Sequence, residues 1–288
     1  MLRTLCLAAL FAAIADAEIV VAVSVAPQAW LVENIGAQRT KTLVMSPPNA
    51  SAHTYEPKPL QMAKLTKASA YMACGVEFEK IWLKRFEQSA PNMRVFHTDR
   101  EIEKLTLTPP RYGADDDQTF NKRAAIDSHI WFSAGAMRAQ ALAIIDALTE
   151  IDPINAELYR TNGERTLKKI DAIHKELAAR FKPYKDRAFL IHHPALGYFA
   201  REYGLRQLFI EFEGKEPKPS DFAALIKLAR DEKINAVFVE RGVSPKSALS
   251  LASALGVEVT PMTIMSEEWE SLMRDIADAL IKAFDGGD

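Results

Sequence analysis

Three histidines stand at places where an open α/β fold presents its ligands. His53 comes shortly after the apolar run Thr42 to Met45, and His193 follows the run Ala188 to His192. Short β-branched runs predict strands, and ligands of open parallel sheets bind beyond the carboxyl ends of the strands. His129 opens the helical stretch after a long loop. The three residues are 76 and 64 positions apart, so only the fold can bring them together.

The chemistry that these residues offer is metal coordination. Neutral imidazole suits Zn²⁺, and three imidazoles with one further group complete a tetrahedral shell. We therefore take His53, His129 and His193 as candidate metal ligands. The remaining histidines are expected to have packing, structural or supporting roles: His97, His174 and His192.

The segments around the histidines alternate between strand and helix patterns. Amphipathic stretches such as Asp221 to Arg230 and Pro245 to Leu255 predict helices between the strands. This alternation predicts an α/β fold in which helices cover parallel sheets on both faces. Eight apolar runs predict the strands: 19–25, 42–45, 70–74, 95–97, 188–192, 208–212, 236–240 and 257–262.

A long helix is predicted between the two halves. After Pro153 no proline interrupts the chain as far as Phe181, and apolar residues recur in steps of three and four. These 29 residues would form a helix of roughly 43 Å, which Pro183 would end. The predicted organisation is an N-terminal lobe, a linking helix and a C-terminal lobe: 18–150, 151–183 and 184–288.

Two further segments carry their own predictions. Thr106 to Ala125 has no periodicity and predicts an exposed loop, in which Asp115 to Asp117 is interpreted as a solvated acidic run rather than a weak cation site. At the N-terminus, Arg3, the apolar run Leu5 to Ile14 and a small-residue cleavage pattern predict an export signal over residues 1–17. The run is too short to span a bilayer. Its removal leaves 271 residues with Cys74 as the single cysteine, expected to be buried and inert, so no intramolecular disulfide can form.

Composition narrows the function. The chain is 48% apolar and 26% charged, as folded soluble proteins are. Lys and Arg number 36 against 38 Asp and Glu, and the resulting charge of −2 argues against a nucleic-acid binder. The common sequence motifs of metalloproteases, serine hydrolases and nucleotide-binding proteins are also missing from the sequence.

The histidine segments also carry a family resemblance. The segments Ser51–Pro57, Ile126–Trp131 and His192–Phe199 are similar to the three ligand motifs of zinc-uptake substrate-binding proteins of ABC transporters, the TroA-like cluster. The segment Ile210–Pro219 is similar to a further typical segment of that family. Together these matches extend over nearly the whole chain after the predicted signal, in the family's order and spacing.

The resemblance implies a periplasmic, monomeric receptor that captures Zn²⁺ and delivers it to a membrane permease of the ABC type. It implies two βα lobes joined by one long backbone helix, with the metal in the cleft between the lobes. His53 and His129 would come from the N-terminal lobe and His193 from the C-terminal lobe. Manganese receptors of the cluster have a carboxylate where this chain has His193, and imidazole there favours zinc.

The sequence departs from the family's pattern in two places. Where members usually have an Asp-Pro-Leu motif after the last strand, this chain has Thr263, and a neutral hydroxyl is a poor zinc ligand. The fourth group is therefore left open between water, a carboxylate such as Glu240, and an altered site. The loop before the second ligand motif also lacks the histidines found in many zinc receptors.

Three other functions are alternatives to a zinc receptor. A receptor for Mn²⁺ or Fe²⁺ would use the same fold. A zinc hydrolase would use the three histidines with Glu56 or Glu240 as general base, but no catalytic motif supports it. An adhesin would need an exposed aromatic patch, and the four tryptophans do not cluster in the sequence.

Overall fold

The computed structural model describes residues 18–47, 53–107, 125–212, 214–243 and 245–286. The predicted export signal and the acidic run Asp115 to Asp117 lie outside these residues. By its internal contacts the chain divides into two compact units. The first contains residues up to 102 together with 135–171, and the second contains 103–134 together with 172–288. The boundaries predicted at residues 150 and 183 stay a prediction.

The first unit is built on a parallel four-stranded sheet. The strands are β1 Ile19–Val25, β2 Thr40–Ser46, β3 Ala70–Ala73 and β4 Arg94–His97. They lie in the order β2-β1-β3-β4, and β1 is central and fully buried from Val21 to Val25. Such burial on both faces is typical of parallel strands covered by helices. The helices begin with Ala26–Gly36, Pro59–Leu65 and Glu77–Ser89 and continue with most of Ala134–Ile151 and the first part of Ala156–Phe181.

The second unit repeats this architecture. The strands are β7 Ala188–Ile191, β8 Arg206–Phe209, β9 Ala236–Glu240 and β10 Glu258–Met262. These four strands are parallel and lie in the order β10-β9-β7-β8. One face of the sheet packs on two helices through a core that includes Leu190, Val237, Leu225 and Leu251. The helices are the later part of Ala156–Phe181, followed by Gly197–Tyr203, Pro219–Asp231, Lys246–Leu255 and Trp269–Asp285.

The predicted α/β class is confirmed, and all eight predicted strands are present. The long helix is also present: a 3-10 turn at Pro153–Asn155 leads into the α-helix Ala156–Phe181. Proline fits such a first turn because its missing N–H would have no helical partner there. The helix contributes residues to both units.

The loop prediction was wrong at its two ends. Thr106–Leu107 and Ala125–Ile126 form a short antiparallel pair, β5 and β6, with Thr106 opposite Ile126. Because each strand is only two residues long, no period can reveal the pair in the sequence. The pair matters for the site, because Asp127 and His129 follow directly after β6.

Two smaller observations complete the fold. Cys74 is a fully buried cysteine, as predicted. Among the described residues, no helix is both long enough and apolar enough to span a bilayer.

Candidate metal centre

His129 and His193 meet inside the second unit. Their Nε2 atoms are 3.2 Å apart, and the two rings are inclined at 72° with centroids 5.0 Å apart. Two imidazole nitrogens that share a tetrahedral zinc at ordinary bond lengths of about 2.0–2.1 Å would be separated by about 3.3 Å. The spacing therefore fits two ligands of one metal ion without rearrangement.

A buried carboxylate fixes the ring of His129. Asp127 Oδ1 accepts hydrogen bonds from the backbone N–H of His129, at 2.9 Å, and from its Nδ1, at 2.8 Å. An ionised carboxylate can only accept, so Nδ1 carries the proton and the lone pair of His129 lies on Nε2. His129 itself is buried, and the ring of Trp131 packs edge-on against it at 5.2 Å.

Tryptophan contacts anchor this segment to the second unit. Trp131 Nε1 donates to the carbonyl oxygen of Ile264 at 3.3 Å, and Trp269 Nε1 donates to the carbonyl oxygen of Trp131 at 2.7 Å. The resemblance placed His129 with the N-terminal lobe. The contacts of residues 103–134 instead group His129 with the second unit, and both tryptophan hydrogen bonds lie within that unit.

His193 is positioned by the end of β7. Its Nδ1 donates to Glu211 Oε1, and Glu211 is held after β8 by a 3.0 Å hydrogen bond from its own N–H to the carbonyl oxygen of His192. Burial alone would raise the pKa of Glu211. The hydrogen bond from His193, the charges of His193 and His192, and the N–H of Gly214 outweigh burial and lower that pKa below its ordinary value. Glu211 is therefore an ionised acceptor, and His193 also presents Nε2.

His53 belongs to the first unit and follows the same pattern. Its Nδ1 lies 2.9 Å from Glu77 Oε2, and both side chains are about one-third exposed. Glu77 begins the helix Glu77–Ser89, in which the ring of Phe78 packs edge-on against Tyr55 at 6.1 Å. That aromatic contact ties the chain just after His53 to the helix that supplies its carboxylate.

Each of the other three histidines lies near a carboxylate. His192 Nε2 lies 3.3 Å from Glu216, and His97 lies 4.0 Å from Asp99. His174 Nδ1 lies 2.8 Å from Glu202 on the surface of the second unit.

Glu240, a candidate for the fourth position, and Thr263, which stands where the family usually has an aspartate, lie at the ends of two neighbouring strands. Thr263 is half-buried just after β10, and its hydroxyl accepts a hydrogen bond from Arg241 Nε at 3.2 Å. Glu240 ends β9 and is also half-buried. The hydroxyl of Thr263 thus already has a hydrogen-bond donor, the guanidinium of Arg241.

Sequence reasoning missed the carboxylates behind the histidines. Asp127 stands two residues before His129, and at this spacing an aspartate can accept a hydrogen bond from the backbone N–H of the later residue. The sequence therefore did contain a signal for this contact. Glu77 and Glu211 are 24 and 18 residues from the histidines they contact, and only the folded chain brings them there.

Known proteins share both the sequence and the fold. Residues 21–283 match the family described as ZnuA, zinc-uptake complex component A, periplasmic. A crystal structure of ZnuA superposes with a TM-score of 0.84 at 32% identity, over 92% of this chain and 99% of that chain.

Relatives differ in the metal for which they are named. The high-affinity zinc uptake system protein ZnuA of Bacillus subtilis is 25% identical over 219 residues, which are 75% of this chain and 68% of the relative. The manganese-binding lipoprotein MntA of Halalkalibacterium halodurans is 24% identical over 233 residues, which are 80% of this chain and 73% of the relative. The family match and the histidine geometry agree: the chain belongs to the ZnuA family of periplasmic metal-binding substrate receptors.

Proposed function

We propose that this chain is a receptor for Zn²⁺ that binds the ion through His53, His129 and His193. The observation that carries the proposal is the pair of Nε2 atoms 3.2 Å apart, each on an imidazole whose Nδ1 is bonded to a carboxylate. His53 enters as the third ligand because its motif resembles the family's and its Nδ1 also has a carboxylate partner, Glu77.

The choice of zinc rests on the ligand chemistry. Three imidazoles form a borderline set that suits Zn²⁺, whereas Mn²⁺ prefers oxygen ligands. His193 is the discriminating position, because manganese receptors of the cluster have a carboxylate there. Mn²⁺ or Fe²⁺ is the alternative cargo, since a manganese-binding relative is 24% identical over 80% of this chain. We do not propose Thr263 as the fourth ligand, and water or Glu240 would complete the shell.

Binding and release, not turnover, would be the activity. Export through residues 1–17 would bring the chain to the periplasm, where a monomer would capture the ion and pass it to an ABC permease. This proposal is supported by the family's description as a periplasmic component of a zinc-uptake complex.

Calorimetric titration of the metal-free protein with zinc and with manganese tests the proposal. His129→Ala and His193→Ala should each weaken zinc binding by at least 100-fold, since each removes a ligand, and His53→Ala should do the same. His174→Ala is the matched control, because its ring also bonds to a carboxylate but lies outside the proposed site. Full zinc affinity in any of the three ligand variants would overturn the ligand set, and tighter binding of manganese than of zinc would overturn the proposed cargo.

A further inference from the structure

The carboxylate of Asp127 has an unusual environment for a charged group. The residue is fully buried, and its Oδ1 accepts two hydrogen bonds, both from His129. Its second oxygen, Oδ2, has no hydrogen-bond partner among the described residues. A buried carboxylate oxygen without a partner costs free energy, so the fold keeps Asp127 at some expense to its stability.

Hydrogen bonds hold both backbone polar groups of Asp127, its N–H and its carbonyl oxygen. The N–H of Asp127 donates to the carbonyl oxygen of Leu105 at 2.8 Å, next to the β5–β6 pair. The carbonyl oxygen of Asp127 accepts a 3.1 Å hydrogen bond from the hydroxyl of Tyr198, which itself accepts one from the N–H of Leu105 at 2.9 Å. The position of the Asp127 backbone is therefore fixed by the protein itself.

A glycine provides the room for Oδ2. A Cβ atom added at Gly197 would lie 2.6 Å from Asp127 Oδ2, closer than non-bonded atoms approach. Gly197 is not one of the described glycines whose φ is positive. Its lack of a side chain is therefore explained by the carboxylate beside it and not by backbone conformation.

We propose that Asp127 is a positioning residue for metal capture, and that Gly197 is the space that allows it to act. The carboxylate holds the proton of His129 on Nδ1, aims Nε2 at the ion and places a poorly solvated negative charge behind the ligand. A cation bound to Nε2 of His129 would be attracted by the negative charge of Asp127 on the other side of the ring. Partners of this kind typically change metal affinity 10–100-fold.

The inference rests on the proposed zinc binding, but one of its readouts needs no metal. In the metal-free protein, nitrogen-15 NMR of the imidazoles reports which ring nitrogen of His129 is protonated. Wild type should show His129 protonated at Nδ1 alone. Asp127→Ala should show a mixture of both tautomers, because the acceptor that selects one of them is gone. An unchanged tautomer in Asp127→Ala would overturn the inference.

Zinc titration of the same proteins gives the second readout. Asp127→Ala should bind zinc 10–100-fold more weakly, and Asp127→Asn, which keeps the shape and an acceptor but not the charge, about tenfold more weakly. Gly197→Ala should also weaken binding about tenfold, although it touches no proposed ligand. Unchanged zinc affinity in Asp127→Asn would overturn the role of the charge. This test still applies if Asp127→Ala fails to fold.

A control variant separates positioning from general damage. Glu202 bonds to Nδ1 of His174 at 2.8 Å in the same unit, so Glu202→Gln removes an equivalent charge away from the site. It should leave zinc affinity within twofold of wild type, and an equal loss there would overturn the inference. If wild type itself fails to bind zinc, the proposed function fails, while the tautomer of His129 still decides whether Asp127 positions the ring.

Discussion

Thr263 stands where members of the family usually have an aspartate. Its hydroxyl accepts a hydrogen bond from Arg241, and the carbonyl oxygen of the next residue, Ile264, accepts one from Trp131, whose ring packs on His129. The chain at Thr263 is therefore tied to the segment that carries a proposed ligand, and a carboxylate there would have both the ion and a guanidinium as possible partners.

We predict that Thr263→Asp tightens zinc binding about tenfold, because it adds an anionic oxygen ligand next to three neutral imidazoles. Thr263→Asn is the matched control, since it has the same shape as aspartate without the charge, and it should leave the affinity unchanged. Calorimetry of both variants measures the difference. Zinc affinity that is unchanged in Thr263→Asp would contradict the prediction and would indicate that the new carboxylate pairs with Arg241 and not with the ion.

A second prediction at the residue scale concerns stability and pH. Two hydrogen bonds from the guanidinium of Arg206 lower the pKa of Glu232, one of them 2.8 Å from Nη1 to Oε1. A carboxyl whose pKa is lower in the folded state stabilises the fold above its unfolded pKa, and the contribution disappears as pH falls through the folded pKa. Both side chains are partly exposed, so the contribution is at most about 1 kcal/mol.

Glu232→Gln should therefore lower the free energy of unfolding by up to about 1 kcal/mol at pH 7. The difference from wild type should shrink as pH falls below about 4, where the wild-type carboxyl becomes protonated first in the unfolded chain and then, at lower pH, in the folded protein. Urea unfolding of the metal-free proteins at several pH values measures this. A difference that stays constant down to pH 3 would show that the ion pair is not its source.

At the scale of single elements, the strands could be predicted and their contacts could not. β9 has the predicted bounds, Ala236–Glu240, because apolar residues occupy every position of the strand except the last. β8 begins at Arg206 and not at 208, since edge pairing with β7 extends it through a charged residue. The carboxylates behind the histidines, by contrast, depend on which strand ends become neighbours, and that is a property of the sheet order.

Helix packing in the first unit gives a prediction of its own. Gly163 lies inside the helix Ala156–Phe181, where glycine normally costs about 1 kcal/mol relative to alanine. A Cβ there would lie 2.3 Å from Ile145 Cδ1 and 2.6 Å from Cγ1, in the helix Ala134–Ile151. Overpacking of this kind costs about 1–3 kcal/mol. Gly163→Ala should therefore destabilise the first unit by about 1 kcal/mol.

The control is the same substitution where the obstruction is gone. In an Ile145→Ala background the added methyl has room, and Gly163→Ala should then stabilise the unit by up to about 1 kcal/mol. Urea unfolding of the four proteins in this double-mutant cycle gives the coupling between the two positions. Additive effects would contradict close packing of the helices at this point.

At the scale of the whole molecule, the proposed ligands come from both units, with His53 in the first and His129 and His193 in the second. Zinc should therefore slow amide hydrogen exchange in both units, because a ligand bound only by the folded state adds to its stability. Protection is expected around Glu77 in the first unit and around Asp127 in the second. Magnesium is the control ion, since it prefers oxygen ligands and should change neither unit.

His53→Ala makes this prediction decisive. If His53 is a ligand, its removal should abolish zinc protection in the first unit and leave a weaker effect in the second, where His129 and His193 still offer two nitrogens 3.2 Å apart. His129→Ala should instead reduce protection in both units, because it removes one of the two ligands that already lie together. Exchange that is slowed by zinc only in the second unit of wild type would show that the ion is held by that unit alone, and the third ligand would then have to be sought there.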